Sequence, residues 1–501
     1  MKPASLKARI QDRLWEVVQA DGNILSATLA GSFLDEPTLE GVSDIDLIAV
    51  VDRLDADCFE RTVAAFDAAL REELAGLGYR LRINPTLGPL KFNEPDLAVL
   101  HLMLYSRVAH VEHAIVSPFT CFDWQRSAAH CKQSLAEVFP VFNLQPHHFM
   151  SSRRSVRDYL RDFHAGVVSY RELDCQTDGY CEVARSKPMT VRDRHEFAYH
   201  IVRFLMQNLV KLVRRANLKL RGESLLAEYF LIFPEREAET RLFFAQLQAK
   251  KRAGDFSEPL ADLEARLHAF VDAFEEQFRR VFFREATRHV VFRHGPTAMN
   301  RTQRSERVFL GRSDPPLLPV EAAMLELLAS HVAEVSPQAA YSSPLARCRQ
   351  SLAALAGECN LPDVYCDDRL REIDYGELEG LTVSTSRSHH ASLFDAWRRG
   401  EDPKFPGGES TRDVTHRALA FVQQHWLAAD ANSVTCTHNV VLRCLVGHVL
   451  GLPPHEWHRL EVPHLAPITF VATRAFGLFV DIPADTARTL FHDFALVSQA
   501  A

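Results

Sequence analysis

Four short polar segments in the C-terminal part of the chain carry residue types suited to phosphoryl chemistry. They are Arg293-His294-Gly295-Pro296-Thr297 with Asn300, Ser342-Ser343-Pro344-Leu345-Ala346-Arg347, Leu370-Arg371-Glu372-Ile373-Asp374-Tyr375-Gly376 with Glu379-Gly380, and Thr437-His438-Asn439. The guanidinium groups of Arg293 and Arg347 present planar paired donors that match phosphoryl oxygens. A neutral imidazole is a competent nucleophile, which fits His294, and a carboxyl group with a raised pKa can protonate a leaving alcohol, which fits Glu372. The segments therefore predict phosphomonoester chemistry.

The elements around these segments predict how they come together. His289–Phe292, Ala339–Ser342 and Ser433–Thr437 have the pattern of short buried strands, and helical patterns at Val320–Val332 and Thr411–Ala428 lie between them. Alternation of strands and helices indicates a parallel sheet covered on both faces. Three of the four polar segments begin where a predicted strand ends, and ligand sites of open α/β sheets lie at the carboxyl ends of strands. We therefore expect one crevice.

In residue type and order, these segments resemble the histidine phosphatase superfamily, which includes the cofactor-dependent phosphoglycerate mutases. The resemblance covers residues 287 to 498 and implies an α/β/α sandwich that needs no cofactor. It implies that His294 is phosphorylated and that Glu372 is the proton donor. The phosphate contacts that it implies are Arg293, Arg347 and His438, with Thr297 and Asn300 as secondary contacts. Simple phosphomonoesterase activity is the expected function, and mutase activity is the alternative.

A second group of residues lies near the N-terminus. A buried strand, Ile24–Ala30, leads into Gly31-Ser32, and Ser43-Asp44-Ile45-Asp46 follows. Asp44 and Asp46 share one face of a strand because side chains alternate. Two carboxylates so close repel each other unless a cation lies between them, which is how paired Mg²⁺ ions are held for in-line phosphoryl transfer. The Gly31-Ser32 turn permits close backbone approach and offers a hydroxyl to triphosphate oxygens.

The Gly-Ser turn followed by the Asp pair resembles the nucleotidyltransferases related to DNA polymerase β, particularly the small-molecule and antibiotic nucleotidyltransferases. The resemblance covers about residues 15 to 110. It implies a mixed sheet with helices, Mg²⁺ or Mn²⁺ as cofactor, and an NTP as substrate. It also implies a third carboxylate on a later strand, for which Asp96 is the nearest candidate. Placement of Asp96 beside Asp44 and Asp46 would favour an enzyme over a degenerate nucleotide sensor.

Changes in the pattern of predicted strands and helices along the chain indicate a multidomain α/β protein of three domains, at 1–110, 111–285 and 286–501. The first alternates helices and strands, predicted at Leu6–Gln19, Ile24–Ala30, Asp46–Val51, Asp55–Leu77, Tyr79–Ile83 and Leu97–Tyr105. The second has long helical patterns such as His195–Arg215 and Pro259–Phe283, and is predicted to be helical. By position it could close over a nucleotide. Arg203 and Lys211 could then reach a triphosphate, although a solvated helix face is the alternative interpretation.

Composition narrows the classes of function. Of 501 residues, 47% are hydrophobic and 24% charged, which is typical of globular proteins, and a net charge of -8 argues against general nucleic-acid binding. The ten Cys include no CxxC pair, which favours free thiols in a reducing compartment. The N-terminus has no signal-peptide pattern, and no apolar run reaches the length of a membrane span. We expect a cytoplasmic protein.

The combined expectation is a bifunctional enzyme. One end transfers a nucleoside monophosphate from an NTP to a small-molecule acceptor, and the other hydrolyses a phosphomonoester, as consecutive steps on one metabolite. The alternative is a phosphatase with a regulatory N-terminal domain that senses a nucleotide or nucleotidylates a protein. The partners expected are an NTP and a small phosphorylated molecule, with neither a membrane nor nucleic acid.

Overall fold

The computed structural model describes residues 3–35, 44–84, 96–151, 156–176, 179–300 and 307–495. It divides the chain into two compact units, the N-terminal unit Met1–Glu275 and the C-terminal unit Glu276–Ala501. The sequence predicted three domains instead. The predicted boundary at 110/111 falls inside the N-terminal unit, and the one at 285/286 lies close to the boundary between the two units.

Five strands form the sheet of the N-terminal unit. They are β1 Ile24–Ala30, β2 Ile45–Val51, β3 Arg80–Ile83, β4 Leu97–Ser106 and β5 His130–Lys132. The spatial order is β3-β4-β2-β1-β5. Strand β4 runs parallel to both β2 and β3, whereas β1 is antiparallel to β2 and β5. Strands β1 and β2 are buried at all but their second residue, so both faces of these two strands are covered.

Twelve helices are described for this unit and its boundary. They are α1 Pro3–Ala20, α2 Ser32–Asp35, α3 Ala56–Ala75, α4 Arg107–Val116, α5 Pro118–Gln125, α6 Leu135–Val138, α7 Pro146–Ser151, α8 Val156–Ala165, α9 Val191–Arg214, α10 Gly222–Ile232, α11 Glu237–Ala253 and α12 Leu263–Arg279. Helix α3 begins where Asp55 accepts a hydrogen bond from the Cys58 N–H, and α9 begins with a capping box of Thr190 and Asp193. Apolar residues of α1 and α3 pack into one core with the sheet.

The region predicted to be helical contains strands as well. Long helices are present, but β6 Val167–Gln176 and β7 Gly179–Pro188 form an antiparallel hairpin before α9. Strand β5 also lies in this region and pairs with β1, so the N-terminal sheet continues past residue 110.

The C-terminal unit is built on a six-stranded sheet. Its strands are β8 Thr287–Arg293, β9 Ala339–Ser342, β10 Val364–Cys366, β11 Ser433–Thr437, β12 Ile468–Thr473 and β13 Gly477–Asp481. The order is β10-β9-β11-β8-β12-β13. Strands β10, β9, β11 and β8 are parallel to one another, β12 is antiparallel to β8, and β13 is antiparallel to β12. The strands predicted at Ala339–Ser342 and Ser433–Thr437 are confirmed with the same first and last residues.

Eight helices accompany this sheet. They are α13 Ala322–Val335, α14 Ala346–Leu355, α15 Val383–His389, α16 Ala391–Arg398, α17 Thr411–Val422, α18 Asn439–Leu450, α19 Ala484–Leu490 and α20 His492–Ala495. Val290 and Phe292 of β8 belong to the core that α13 and α14 cover, and Val291 between them is buried as well. Burial of consecutive residues means that both faces of β8 are covered, as the sequence predicted. Among the described helices of the whole chain, none combines the length and apolarity needed to cross a bilayer.

Candidate active site

Three parallel strands of the C-terminal unit end at the same edge of the sheet. Arg293 at the end of β8 is in register with Thr437 at the end of β11, and Ser342 of β9 is in register with Cys436. The N–H of His294 donates to the Thr437 carbonyl at 3.0 Å, which extends the ladder one residue past β8. The polar segments that follow these strands therefore meet at one place, as predicted.

The side chain of His294 is buried with a defined tautomer. Its Nδ1 lies 2.7 Å from the Gly295 carbonyl oxygen, which can only accept, so Nδ1 carries the proton. In the neutral ring, Nε2 then holds the lone pair, and Nε of Arg347 donates to it at 3.2 Å. The unprotonated Nε2, the predicted nucleophile, thus lies against a guanidinium group.

Electrostatics keep this ring neutral. Burial, followed by the positive charges of Arg293 and Arg347, holds the pKa of His294 well below its usual range. The ring therefore has no competing protonated form at neutral pH. Burial and the two cations thus keep the ring in the neutral form that a nucleophilic imidazole requires.

The guanidinium group of Arg347 is fully buried and oriented by a loop. Nη1 donates to the Ser313 carbonyl at 2.7 Å, and Nη2 donates to the Gly311 carbonyl at 2.9 Å. Glu379 holds that loop, because its carboxylate accepts from the N–H groups of Gly311, Arg312 and Ser313 at 2.9, 3.2 and 3.0 Å. Glu379 thus positions Arg347 through the loop backbone.

Substitution of Glu379 tests this indirect role. Glu379→Gln keeps the shape but replaces one acceptor oxygen with a donor that faces backbone N–H groups. We expect kcat to fall between about tenfold and hundredfold, because a small misplacement of Arg347 weakens binding of the transition state. Steady-state kinetics would measure it, with Glu326→Gln, an exposed acid of α13, as the matched control. If the two variants had equal kinetics, the proposed role of Glu379 in positioning Arg347 would be wrong.

Arg293 and His464 also lie close to His294. Nη1 of Arg293 donates to the Val462 carbonyl at 3.0 Å, and burial lowers the pKa of Arg293 to about 10, which leaves it charged at neutral pH. Nδ1 of His464 donates to the main-chain carbonyl of His294 at 2.6 Å. No motif in the sequence marks His464, and the sequence analysis missed it.

Glu372 is a buried carboxyl group in the same electrostatic environment. Its Oε1 accepts from the N–H groups of Ile373 and Val440, both at 3.1 Å, the second at the start of α18. Burial raises the pKa of Glu372, and the charges of Arg347 and Arg293 oppose this effect without cancelling it. A larger fraction of Glu372 is therefore protonated near neutral pH than of an exposed Glu, as a general acid requires.

His438 completes the group at the end of β11. Its ring lies 5.1 Å from the His294 ring between centroids, and its Nε2 shares a 2.7 Å hydrogen bond with the Ser343 hydroxyl. Burial, and then the charge of Arg347, hold the pKa of His438 well below its usual range. His438 therefore acts as a neutral hydrogen-bonding group, fixed by Ser343.

Thr297 and Asn300, predicted as secondary phosphate contacts, are hydrogen-bonded to each other. Oδ1 of Asn300 accepts from the Thr297 N–H at 2.8 Å and from its hydroxyl at 2.9 Å. In the described part of the chain, their hydrogen bonds join the two residues rather than linking them to His294 or Arg347. The pair closes the turn that follows His294.

The N-terminal unit brings Asp44 and Asp46 together with a residue that the sequence analysis did not select. His101 on β4 is the register partner of Asp46 on β2. Nδ1 of His101 lies 3.4 Å from Asp46 Oδ1 and 3.8 Å from Asp44 Oδ2. One ligand atom from each of the three residues lies within 4.8 Å of the others, a donor set that fits a divalent cation.

The structure does not bring Asp96 to this pair. Asp96 lies immediately before β4, where Nε of Arg80 donates to its Oδ2 at 2.7 Å and this hydrogen bond lowers the pKa of Asp96. The parallel register of β2 and β4 places residue 101 beside Asp46. Residue 96 lies five positions earlier in the chain, roughly 16 Å along an extended strand. The predicted third carboxylate is therefore replaced at this position by an imidazole.

A cavity of about 900 Å³ opens beside the Asp pair within the N-terminal unit. Its lining includes Gly31 and Asp46 together with seven Lys or Arg residues, among them Arg203 and Lys211. Gly31 has a φ of +72°, and a Cβ there would overlap the Asp46 carboxylate, so only glycine fits. Ser32 begins helix α2, but its hydroxyl lies outside the described side chains. Lys211 is paired with Asp123 at 2.6 Å.

Known proteins match the C-terminal unit. Residues 289–480 match the family described as histidine phosphatase superfamily (branch 1). The probable phosphoglycerate mutase GpmB of Proteus mirabilis is 31% identical over 176 residues, which are 34% of this chain and 78% of the relative. The 2,3-bisphosphoglycerate-dependent phosphoglycerate mutase 2 of Gloeobacter violaceus is 28% identical over 187 residues, 36% of this chain and 84% of the relative.

A solved structure, Bacillus stearothermophilus YhfR, is 25% identical, covers 40% of this chain and 96% of its own, and has a TM-score of 0.34. Residues 289–480, which match the family model, contain the ends of β8, β9 and β11 and the side chains that meet there. The family match, together with the identity to the Proteus mirabilis relative over most of that relative's length, shows that this chain, through its C-terminal unit, belongs to the histidine phosphatase superfamily.

Proposed function

We propose that the C-terminal unit hydrolyses a phosphomonoester through a phosphohistidine at His294. The observation that carries the proposal is the lone pair of His294 Nε2, which is fixed by the Nδ1 hydrogen bond and lies against Arg347. Buried cations beside this nitrogen supply the charge that a phosphoryl group in transfer needs. The proposed reaction uses only side chains of the protein, and the absence of a cofactor requirement remains a prediction.

The reaction follows from these positions in two steps. Nε2 of His294 attacks phosphorus, the bond to the substrate oxygen breaks, and Glu372 gives its proton to that oxygen. Water then attacks the phosphorus of the phosphohistidine, the Glu372 carboxylate takes a proton from the water, and the bond between phosphorus and Nε2 breaks, which releases inorganic phosphate and restores His294. Arg293 and Arg347 stabilise the equatorial oxygens in both steps.

A leaving-group series tests this proposal. In Glu372→Gln the side chain cannot donate a proton, so we expect alkyl phosphates, which have poor leaving groups, to lose about 10²–10⁴-fold in rate. Aryl phosphates with acidic phenols should lose much less. In the wild type, alkyl phosphate hydrolysis should fall as pH rises through the raised pKa of Glu372, and the variant should lack this dependence. Equal slowing for all leaving groups would reassign Glu372 to positioning.

Phosphoglycerate mutase activity is the second candidate for this unit, since curated relatives carry that name. Both activities share the phosphohistidine and differ in what accepts the phosphoryl group. The discriminating measurement is the fate of the phosphoryl group when 3-phosphoglycerate is supplied: release as inorganic phosphate indicates a phosphatase, and appearance of 2-phosphoglycerate indicates a mutase.

For the N-terminal unit we propose binding of a nucleoside triphosphate together with a divalent cation. The support is the juxtaposition of Asp44, Asp46 and His101, which can hold a cation, with the basic cavity lined by Arg203 and Lys211. A cation held there would neutralise the carboxylates and the triphosphate together. Gly31 allows the backbone to come close to the same carboxylates.

Transfer of the nucleotide is a further step of this proposal. The sequence analysis made transfer to a small molecule conditional on Asp96 beside the pair, and Asp96 is instead bonded to Arg80. A nucleotide-sensing or protein-nucleotidylating role is the alternative, favoured by that observation. Pyrophosphate release from each NTP with Mg²⁺ or Mn²⁺, screened with and without small phosphorylated metabolites, separates transfer from binding. It also tests whether the two units act on one metabolite.

A further inference from the structure

We propose that His101, with Asp44 and Asp46, makes the cation site of the N-terminal unit select Mn²⁺ over Mg²⁺. The inference rests on the proposed nucleotide binding by this unit and specifies the cation that such binding uses. The distinctive element is an imidazole nitrogen where the family resemblance implied a third carboxylate.

The geometry of the three side chains fits direct coordination. Ligand atoms about 2.0–2.2 Å from one cation lie roughly 3–4 Å from each other. Nδ1 of His101 is 3.4 Å from Asp46 Oδ1 and 3.8 Å from Asp44 Oδ2, within that range. A single cation can therefore contact all three without moving the strands.

The backbone fixes this arrangement. Asp46 and His101 are direct register partners on parallel neighbours β2 and β4, and Asp44 lies two residues before Asp46, on the same face. The three side chains are largely shielded, with exposed fractions of 18% for Asp44, 27% for Asp46 and 14% for His101. Asp46 has no Lys or Arg ion-pair partner among the residues that the structure describes. A solvated acidic surface would have neither this shielding nor an imidazole aimed at both carboxylates.

Ligand chemistry then selects the cation. Mg²⁺ prefers oxygen ligands in strict octahedral geometry and keeps much of its water. An imidazole nitrogen adds affinity for first-row transition ions, while two carboxylates suit Mn²⁺ better than the softer members of that series. Two Asp and one His therefore favour Mn²⁺ over Mg²⁺.

The cavities beside the cation site indicate which kind of ligand the cation would bind. Asp44, Asp46 and Arg203 also line a second cavity of about 320 Å³, and Gly31, Asp46 and Arg203 are shared with the larger basic one. Carboxylates and positively charged residues thus line the same space, and Asp193 and Glu196 also line the smaller cavity. An anion with several phosphates can contact both, because the cation neutralises one end and the basic residues the other.

The test is a titration of the full chain with Mn²⁺ alone, followed by the electron paramagnetic resonance signal of free Mn²⁺, with Mg²⁺ as competitor. Glu461, His492 and Asp493 form another group of possible ligands in the described residues, so the measurement uses a His492→Gln background. We expect one Mn²⁺ to bind and Mg²⁺ to compete only at about tenfold or higher concentration.

His101→Asn supplies an oxygen in place of the nitrogen and leaves the two carboxylates of the site in place. We expect Mn²⁺ affinity to fall about tenfold or more, Mg²⁺ affinity to stay unchanged, and the preference to disappear. His130→Asn, at an exposed histidine of β5, is the matched control and should behave as the wild type. Thermal melting and aryl phosphate hydrolysis establish that each variant is folded.

Two results would overturn the inference. If the wild type bound Mn²⁺ and Mg²⁺ equally, the proposed selectivity would be wrong. If His101→Asn and His130→Asn gave identical titrations, His101 would not be a ligand of the cation. The proposed function is judged separately, from NTP binding in the presence of saturating Mg²⁺ or Mn²⁺. That binding can persist when the selectivity fails, and its absence with both cations would reject the proposed function itself.

Discussion

His294→Ala is expected to lower kcat for aryl phosphate hydrolysis by about 10⁴-fold or more, because removal of a nucleophile leaves only the binding groups. The buried Nε2 that Arg347 contacts is the atom that would carry the phosphoryl group, and alanine offers no replacement. The variant should also lose the acid-labile phosphoenzyme that forms when the wild type is mixed with a phosphorus-labelled substrate and quenched in alkali. Steady-state turnover and quench-flow labelling measure the two effects on one preparation.

The control for this substitution is His416→Ala, which removes an exposed histidine of α17 in the same unit. It should keep wild-type turnover and labelling. Because His294 is buried, its removal could disturb folding, so His294→Gln provides a second variant that fills the space without a nucleophilic nitrogen. Wild-type labelling in both His294 variants would place the covalent intermediate elsewhere and reject the mechanism.

The C-terminal site could be predicted from sequence because its chemistry follows strand ends. His294 and His438 come directly after β8 and β11. Parallel pairing of these strands brings the two positions together, and this does not depend on the conformation of the loops. Glu379 and His464 could not be assigned roles in the same way. They act on main-chain atoms, the loop N–H groups of residues 311–313 and the carbonyl of His294, and only the folded backbone shows where those atoms lie.

The N-terminal site shows a different limit. Asp46 lies in β2 and Asp44 immediately precedes that strand, and side-chain alternation alone predicted that the two share a face. The third member depends on the register between β2 and β4, and the sequence search for a carboxylate selected Asp96 instead of His101. Register is a property of strand pairing, and the pattern of β2, which is buried at all but its second residue, does not determine it. The hairpin β6–β7 was missed because the long helices around it dominated the pattern.

Asp46→Asn is expected to abolish cation-dependent binding of NTP without affecting phosphomonoester hydrolysis. Asp46 is the residue that both contacts His101 and lines the two cavities, so its carboxylate is common to the cation and to the space for the triphosphate. Loss of one charged ligand costs about 2–3 kcal/mol, which raises the dissociation constant about thirty- to hundredfold or more. Isothermal titration of each NTP with saturating Mg²⁺ or Mn²⁺ measures it.

Asp96→Asn is the control that separates this prediction from a general loss of negative charge. Asp96 belongs to the same sheet but is bonded to Arg80, so its substitution should leave NTP binding unchanged. Both variants should hydrolyse aryl phosphate at the wild-type rate, because the two sites use different residues in different units. A parallel loss of hydrolysis in a folded Asp46→Asn protein would show that the two activities are coupled. If the wild type binds no NTP with either cation, the N-terminal unit is a degenerate copy and the phosphatase site alone accounts for the chemistry of the chain.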